Sequence, residues 1–177
     1  MIRMICALFL ALASTIVGQT GGTAEPFQFV SGRAYQGAVV PASRIPDWYK
    51  EPGVTGTWTA TAADVAKAEA VLSRYLTEAL AEPLGVSPPI ELRPDRPPYH
   101  VDGLRSLVKR LPECQRQYMG LTYGPERRLL VRGFLGAFNK RWREEVVTVI
   151  DGGCGYWYFE LDVATQRPLG FGCQSDA

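Results

Sequence analysis

The chain has 177 residues, with 19 lysines and arginines against 18 aspartates and glutamates, a formal net charge of +1 and one histidine. A near-neutral balance without a basic excess argues against bulk electrostatic capture of nucleic acid or of an anionic membrane. The length suits one domain that buries most of its chain.

The N-terminus reads as an export signal. Arg3 precedes an apolar run from Met4 to Val17, and Gly22-Thr23-Ala24 offers small residues for cleavage after Ala24. The run is too short to span a bilayer as a mature helix. Cys6 follows Arg3-Met4-Ile5 and lies ahead of most of the apolar run, so it lacks the setting of a lipid-anchored cysteine. Cleavage takes 24 of 177 residues, leaves 153 and removes Arg3, so the mature chain is neutral and has no second apolar stretch of membrane length. The expected location is the periplasm or the outside of the cell.

Residues 25–60 mix Gly, Pro, Ser and Thr with isolated aromatics from Phe27 to Trp58, and Pro41, Pro46 and Pro52 make this arm irregular. Its aromatic content implies that part of it packs on the domain. Residues 61–177 form that domain. Thr61-Ala62-Ala63-Asp64 resembles a capping box, and Val65, Ala68, Leu72, Tyr75, Leu76 and Ala79 recur at helical spacing up to Glu82 and Pro83. The opposite face carries Lys67, Ala70, Arg74 and Glu78, so the helix is expected to lie on a flat surface. Pro83 to Pro98 holds six prolines in 16 residues, the composition of a connector. A short helix is expected over Asp102 to Leu111, with Leu104, Leu107, Val108 and Leu111 on one side and Pro112 at its end.

Strand patterns follow over Gln117 to Tyr123, Arg128 to Leu135, Val146 to Ile150, Tyr156 to Val163 and Leu169 to Cys173, separated by turn residues. The expected fold is α+β, one long amphipathic helix packed on an antiparallel meander of four to five strands. The order of elements resembles the cystatin-like layout. The Gln-x-Val-x-Gly loop of the cystatin inhibitors is absent, so protease inhibition does not carry over.

A second resemblance rests on Thr57-Trp58-Thr59-Ala60-Thr61, Asp64-Val65, Glu69, Leu72, Tyr75-Leu76, Gln117-Tyr118-Met119-Gly120, Trp142 and Val149-Ile150-Asp151-Gly152-Gly153. Over roughly Trp58 to Cys173 the chain resembles a family of small uncharacterised exported bacterial proteins, departing from it at Ala60, where a proline is common. The resemblance implies no activity, cofactor or site residue.

Cleavage leaves Cys114, Cys154 and Cys173, separated by 40 and 19 positions. These gaps and the lone His100 do not make a zinc site, and no metal or cofactor is expected. In the expected meander, turns at Gly124-Pro125, Gly152-Gly153 and Thr165 to Pro168 place Cys114 and Cys173 at one end of the sheet and Cys154 at the other. Cys114–Cys173 is therefore the expected bridge, at the expense of a strongly curled sheet, and Cys154 the odd thiol.

Asp151-Gly152-Gly153 fits a hairpin turn better than a phosphate loop, which needs a strand-to-helix context. His100 with a cysteine would make a nucleophilic dyad, yet no protease-type motif surrounds any of the three. Lys140-Arg141-Trp142-Arg143 interleaves cations with an indole, a pattern that grips polyanions, but Glu144-Glu145 follows directly. Tyr118, Tyr156, Tyr158 and Glu160 are expected on the exposed side of the sheet, where with Trp142 they make the candidate ligand surface unless the N-terminal arm covers them.

The sequence thus points to an exported binding or accessory protein without enzymatic activity, whose partner is another envelope or extracellular protein. The competing expectations are an inhibitor or immunity-type protein, and a small hydrolase or thiol enzyme using His100 and a cysteine.

Overall fold

The computed structural model describes residues 24–50, 52–81, 97–136, 141–149 and 152–173. The protein is mixed α+β. The described residues contain seven strands, β1 (Gln28–Ser31), β2 (Gln36–Val39), β3 (Gly56–Trp58), β4 (Gln115–Tyr123), β5 (Glu126–Phe134), β6 (Tyr156–Asp162) and β7 (Arg167–Cys173), and two helices, α1 (Ala62–Ala81) and α2 (Pro97–Arg110). The strands form one sheet in the order β1-β2-β4-β5-β6-β7, with β3 also pairing with β4. All pairs are antiparallel except β2 with β4, where Val39 lies opposite Tyr118. The expectation of one long helix on an antiparallel meander of four to five strands is corrected to seven strands with one parallel pair among the described residues, under α1 and a second helix that overlaps the short one expected over Asp102 to Leu111.

The extra strands come from the segment read as an irregular arm. β1 and β2 form a hairpin beside the first half of β4, and β3 pairs with its second half, Trp58 opposite Gly120. Pro41 and Pro46 stand outside these strands, each at the start of a 3-10 turn, where a missing N–H costs no ladder bond.

α1 begins as its sequence indicates. The Asp64 amide donates to Thr61 Oγ1 at 3.2 Å, and the Thr61 amide donates to Asp64 Oδ2 at 2.9 Å, a reciprocal cap for two otherwise unpaired donors. Desolvation opposes ionisation of Asp64, but the hydrogen bonds from Thr61 win and hold its carboxyl below the ordinary value. Its stabilising share is therefore present above that value and lost as pH falls through the folded-state value. Thr61→Ala should cost about 1 kcal/mol in urea denaturation near neutrality and less in acid; an equal cost at both would refute the cap.

Val65, Ala68, Val71, Leu72, Tyr75 and Leu76 of α1 are buried on the sheet, where the Tyr75 ring lies 5.9 Å from Phe159 and 6.4 Å from Phe171. α2 starts at Pro97, earlier than expected, because proline suits a first helical turn, whose N–H has no partner in any case. Its Leu104 and Leu107 join the same core. Of the connector expected from Pro83 to Pro98, positions 83–96 lie outside the described residues, and Pro97 and Pro98 belong to α2.

Aromatic rings cover glycines of neighbouring strands on this face. A Cβ on Gly133 would lie 2.0 Å from the Trp157 indole, and one on Gly120 would lie 2.5 Å from the Trp58 ring. These rings lie flat on the backbone because the glycine opposite has no side chain.

The expected strand at Val146 to Ile150 is not one. Residues 146–149 run outside the ladder across the second face, and position 150 lies outside the described residues. Buried Gln117 substitutes for a strand partner, accepting the Val147 amide at 2.8 Å and donating to the Trp142 and Glu145 carbonyls at 2.6 Å each. Consequently β6 pairs directly with β5, Tyr156 opposite Phe134.

That change reverses the level of Cys154. The bridge is Cys154–Cys173, with Cα atoms 4.6 Å apart, and Cys114 is free and buried. The start of β4, the end of β5, the start of β6 and the end of β7 all lie at one end of the sheet. Cys114 is three strand spacings from β7, about 14 Å, whereas Cys154 precedes the strand next to it. α2 packs close over this bridge, a Cβ on Gly103 being 3.2 Å from Cys154 Sγ.

Candidate functional site

Strand register divides the expected ligand surface. Tyr118 pairs across to Val131, and Val131 to Phe159, so Tyr118 faces the helices with Phe159. Tyr156, Tyr158 and Glu160 face the other way. Tyr118 is fully buried and donates to Glu69 Oε1 at 2.8 Å. Tyr156 is buried too, its hydroxyl donating to the Val147 carbonyl at 2.9 Å. Trp142 is buried against Phe134, with centroids 6.3 Å apart. Neither Tyr118, Tyr156 nor Trp142 presents a surface to a ligand. Tyr158 and Glu160 are half-buried, and Glu160 is held by Arg128 at 3.3 Å.

The residues that do gather around a cavity were not those. α1 contributes Ala66, Ala70, Ser73 and Thr77 to one wall of a pocket of about 410 Å³. The end of α2 and the turn after it supply Val108, Leu111 and Pro112 opposite, and the β1–β2 hairpin closes a third side with Arg33, Ala34 and Tyr35. Glu69, Leu72 and Arg116 complete the lining.

Glu69 and Arg116 form an ion pair, Nε to Oε1 3.0 Å, with side chains only 10% and 2% exposed. The Nε–H is not aimed at that oxygen. The two terminal nitrogens of Arg116 donate to the carbonyls of Cys114 at 2.9 Å and Leu111 at 3.1 Å. Burial raises the Glu69 carboxyl above its ordinary value, against the opposing pull of Arg116 and the Tyr118 hydroxyl. Burial likewise raises the Tyr118 hydroxyl, with the Glu69 charge adding to it, so it remains a donor. The pair neutralises both charges at the base of the pocket, leaving its open walls mainly alanine, leucine, valine and proline.

The cysteines near this pocket are not set up as nucleophiles. Cys114 is buried, its Sγ–H points at the Arg110 carbonyl at 3.5 Å, and desolvation pushes its thiol up, which disfavours a nucleophilic thiolate. Cys154 and Cys173 are consumed by their bridge. The side chain of His100 and all of Asp151 lie outside the described residues. Among the described residues no three His, Cys, Asp or Glu side chains cluster as metal ligands, and no helix is long and apolar enough to cross a membrane.

Glu69 had a legible signal. It sits four residues after Val65 and three before Leu72, inside the apolar stripe, while Arg116 shares the inward parity of Tyr118 on β4. One inward charge on each of two packed elements implies a partner. Comparison with protein families, curated proteins and solved structures finds no match for this chain.

Proposed function

We propose that this is an exported binding protein that holds a small, predominantly apolar ligand between α1, the end of α2 and the β1–β2 hairpin. The observation that carries this reading is the pocket itself: about 410 Å³ lies within the usual range for ligand sites, roughly 300–1,000 Å³, and the walls are apolar over a neutralised ion pair. Export is supported by Arg3, the Met4 to Val17 run and Gly22-Thr23-Ala24, and by a disulfide of the kind that persists in oxidising compartments. The resemblance to small exported bacterial proteins agrees with this location and adds no activity.

An inhibitor would present aromatics on protruding hairpin turns. The exposed large apolar side chains among the described residues are Phe29, on β1, and Trp48, in a 3-10 turn, so no hairpin tip carries one. This favours the small-ligand reading.

The test is titration with the neutral fluorophore 1-N-phenylnaphthylamine. Wild type should show saturable enhancement with one site. Ala70 is exposed on the pocket's flank, so Ala70→Trp should place an indole in the opening, leave the melting temperature unchanged and weaken binding at least tenfold. Unchanged affinity in this variant would rule the pocket out as the site.

A further inference from the structure

Arg132 lies on the sheet face opposite the helices, between Gln117 of β4 and Tyr158 of β6. Its guanidinium carbon is 5.3 Å from the ring centroid of Tyr49, 5.8 Å from that of Tyr156 and 5.5 Å from that of Tyr158. Three aromatic faces therefore surround one cation. They stabilise its charge through their quadrupoles, but a ring face does not replace an oxygen acceptor for the N–H groups.

Among the described residues no such acceptor meets Arg132: it makes no hydrogen bond and no ion pair to them, and its Nε is buried without a partner. Glu160, the nearest carboxylate along β6 on this face, is engaged by Arg128. Gln117 is committed to Trp142, Glu145 and Val147. Arg132 as a whole is half-buried, and its terminal nitrogens, unlike Nε, are not sealed from solvent. Nε is thus a desolvated donor without an acceptor, while the terminal nitrogens are open to an acceptor from outside the chain.

We propose that Arg132 in its tyrosine cage is a binding site for the oxyanion of a small ligand, a carboxylate or a phosphate, accepted end-on by the two terminal nitrogens. The rings fix the guanidinium plane, so the fork is set before the anion arrives, and two parallel N–H···O bonds match either group. Trp48, 59% exposed and with its ring 4.0 Å from that of Tyr49, offers an apolar ledge beside the cage. This site is on the opposite side of the sheet from the α1–α2 pocket and does not depend on it.

The experiment is an NMR titration of the full protein, following the Arg132 Nε–Hε resonance and the ring signals of Tyr49, Tyr156 and Tyr158. Sodium acetate, sodium benzoate and inorganic phosphate are added in separate arms, with sodium chloride at matched ionic strength as control. Saturable shifts with a carboxylate or with phosphate, absent with chloride, are expected, and the arm that binds identifies the source of the oxyanion. Benzoate binding more tightly than acetate would assign the ledge role to Trp48. Arg132→Lys keeps the charge but loses the fork and should weaken binding at least tenfold, while Arg143→Gln should leave it unchanged. Absence of saturable shifts in wild type up to tens of millimolar of every anion would overturn the site, as would shifts that chloride reproduces. The wild-type titration decides the matter even if the lysine variant fails to fold.

Discussion

Arg116→Met is expected to cost about 3–5 kcal/mol of folding stability in mildly alkaline buffer, the range for stranding one member of a buried ion pair. The substitution keeps the apolar stem but leaves the Glu69 carboxylate, 10% exposed, with the Tyr118 hydroxyl as its remaining partner. It also removes the Arg116 donors from the Cys114 and Leu111 carbonyls, of which Leu111 keeps the Cys114 amide. The pH dependence has a definite sign. Burial already raises Glu69 above its ordinary value of 4.5, and losing Arg116 removes the main opposing charge. A carboxyl raised in the folded state contributes stability that is present below its unfolded value and lost as pH rises through its folded value. The deficit of Arg116→Met relative to wild type should therefore shrink as pH falls toward 4.5. Glu69→Gln in the same chain should recover part of the loss at alkaline pH and abolish the pH dependence of the difference. Urea midpoints of the wild type and the two variants across pH measure this; a deficit independent of pH would mean that Glu69 is not the stranded group.

What could be read from the chain follows the reach of the signals. α1 was legible because its cap and its stripe are both local, β6 because it alternates, and β4, β5 and β7 because each is a run of seven residues or more bounded by turn residues. β1 to β3 are three or four residues long and lie among prolines and glycines, too short for a period-two pattern to rise above composition. Val146, Val147 and Val149 looked like a strand because they are apolar, yet a side chain, Gln117, satisfies the backbone there, and no pattern in the segment itself announces that. The face of a residue within one strand can be read from parity, but which faces of two strands coincide depends on register. This is why Tyr118 was grouped with Tyr156 and Tyr158. The pocket draws on three elements distant in sequence, so its existence was not legible, although the inward positions of Glu69 and Arg116 marked its polar base.

Removing the Cys154–Cys173 bridge is the second large effect expected. The two residues are separated by 19 positions, and the loss of a crosslink closing a loop of that size corresponds to about 3 kcal/mol in the chain-entropy treatment. The double variant Cys154→Ser/Cys173→Ser avoids leaving an unpaired thiol and should show this loss in urea denaturation; adding reductant to wild type should approach it. The bridge also has a local role, because α2 rests on Cys154 at Gly103. Protection from proteolysis should therefore fall first around α2, ahead of β4 and β5 in the centre of the sheet. Peptide mapping of secreted, non-reduced protein checks the pairing, and its N-terminal peptide should begin at Glu25. Cys114 should be alkylated only after denaturation, since it is fully buried. A Cys114–Cys173 peptide instead would require the ends of β4 and β7 to meet across β5 and β6, which is incompatible with Tyr156 pairing to Phe134 and Trp157 to Cys173, and it would overturn the sheet order together with the disulfide.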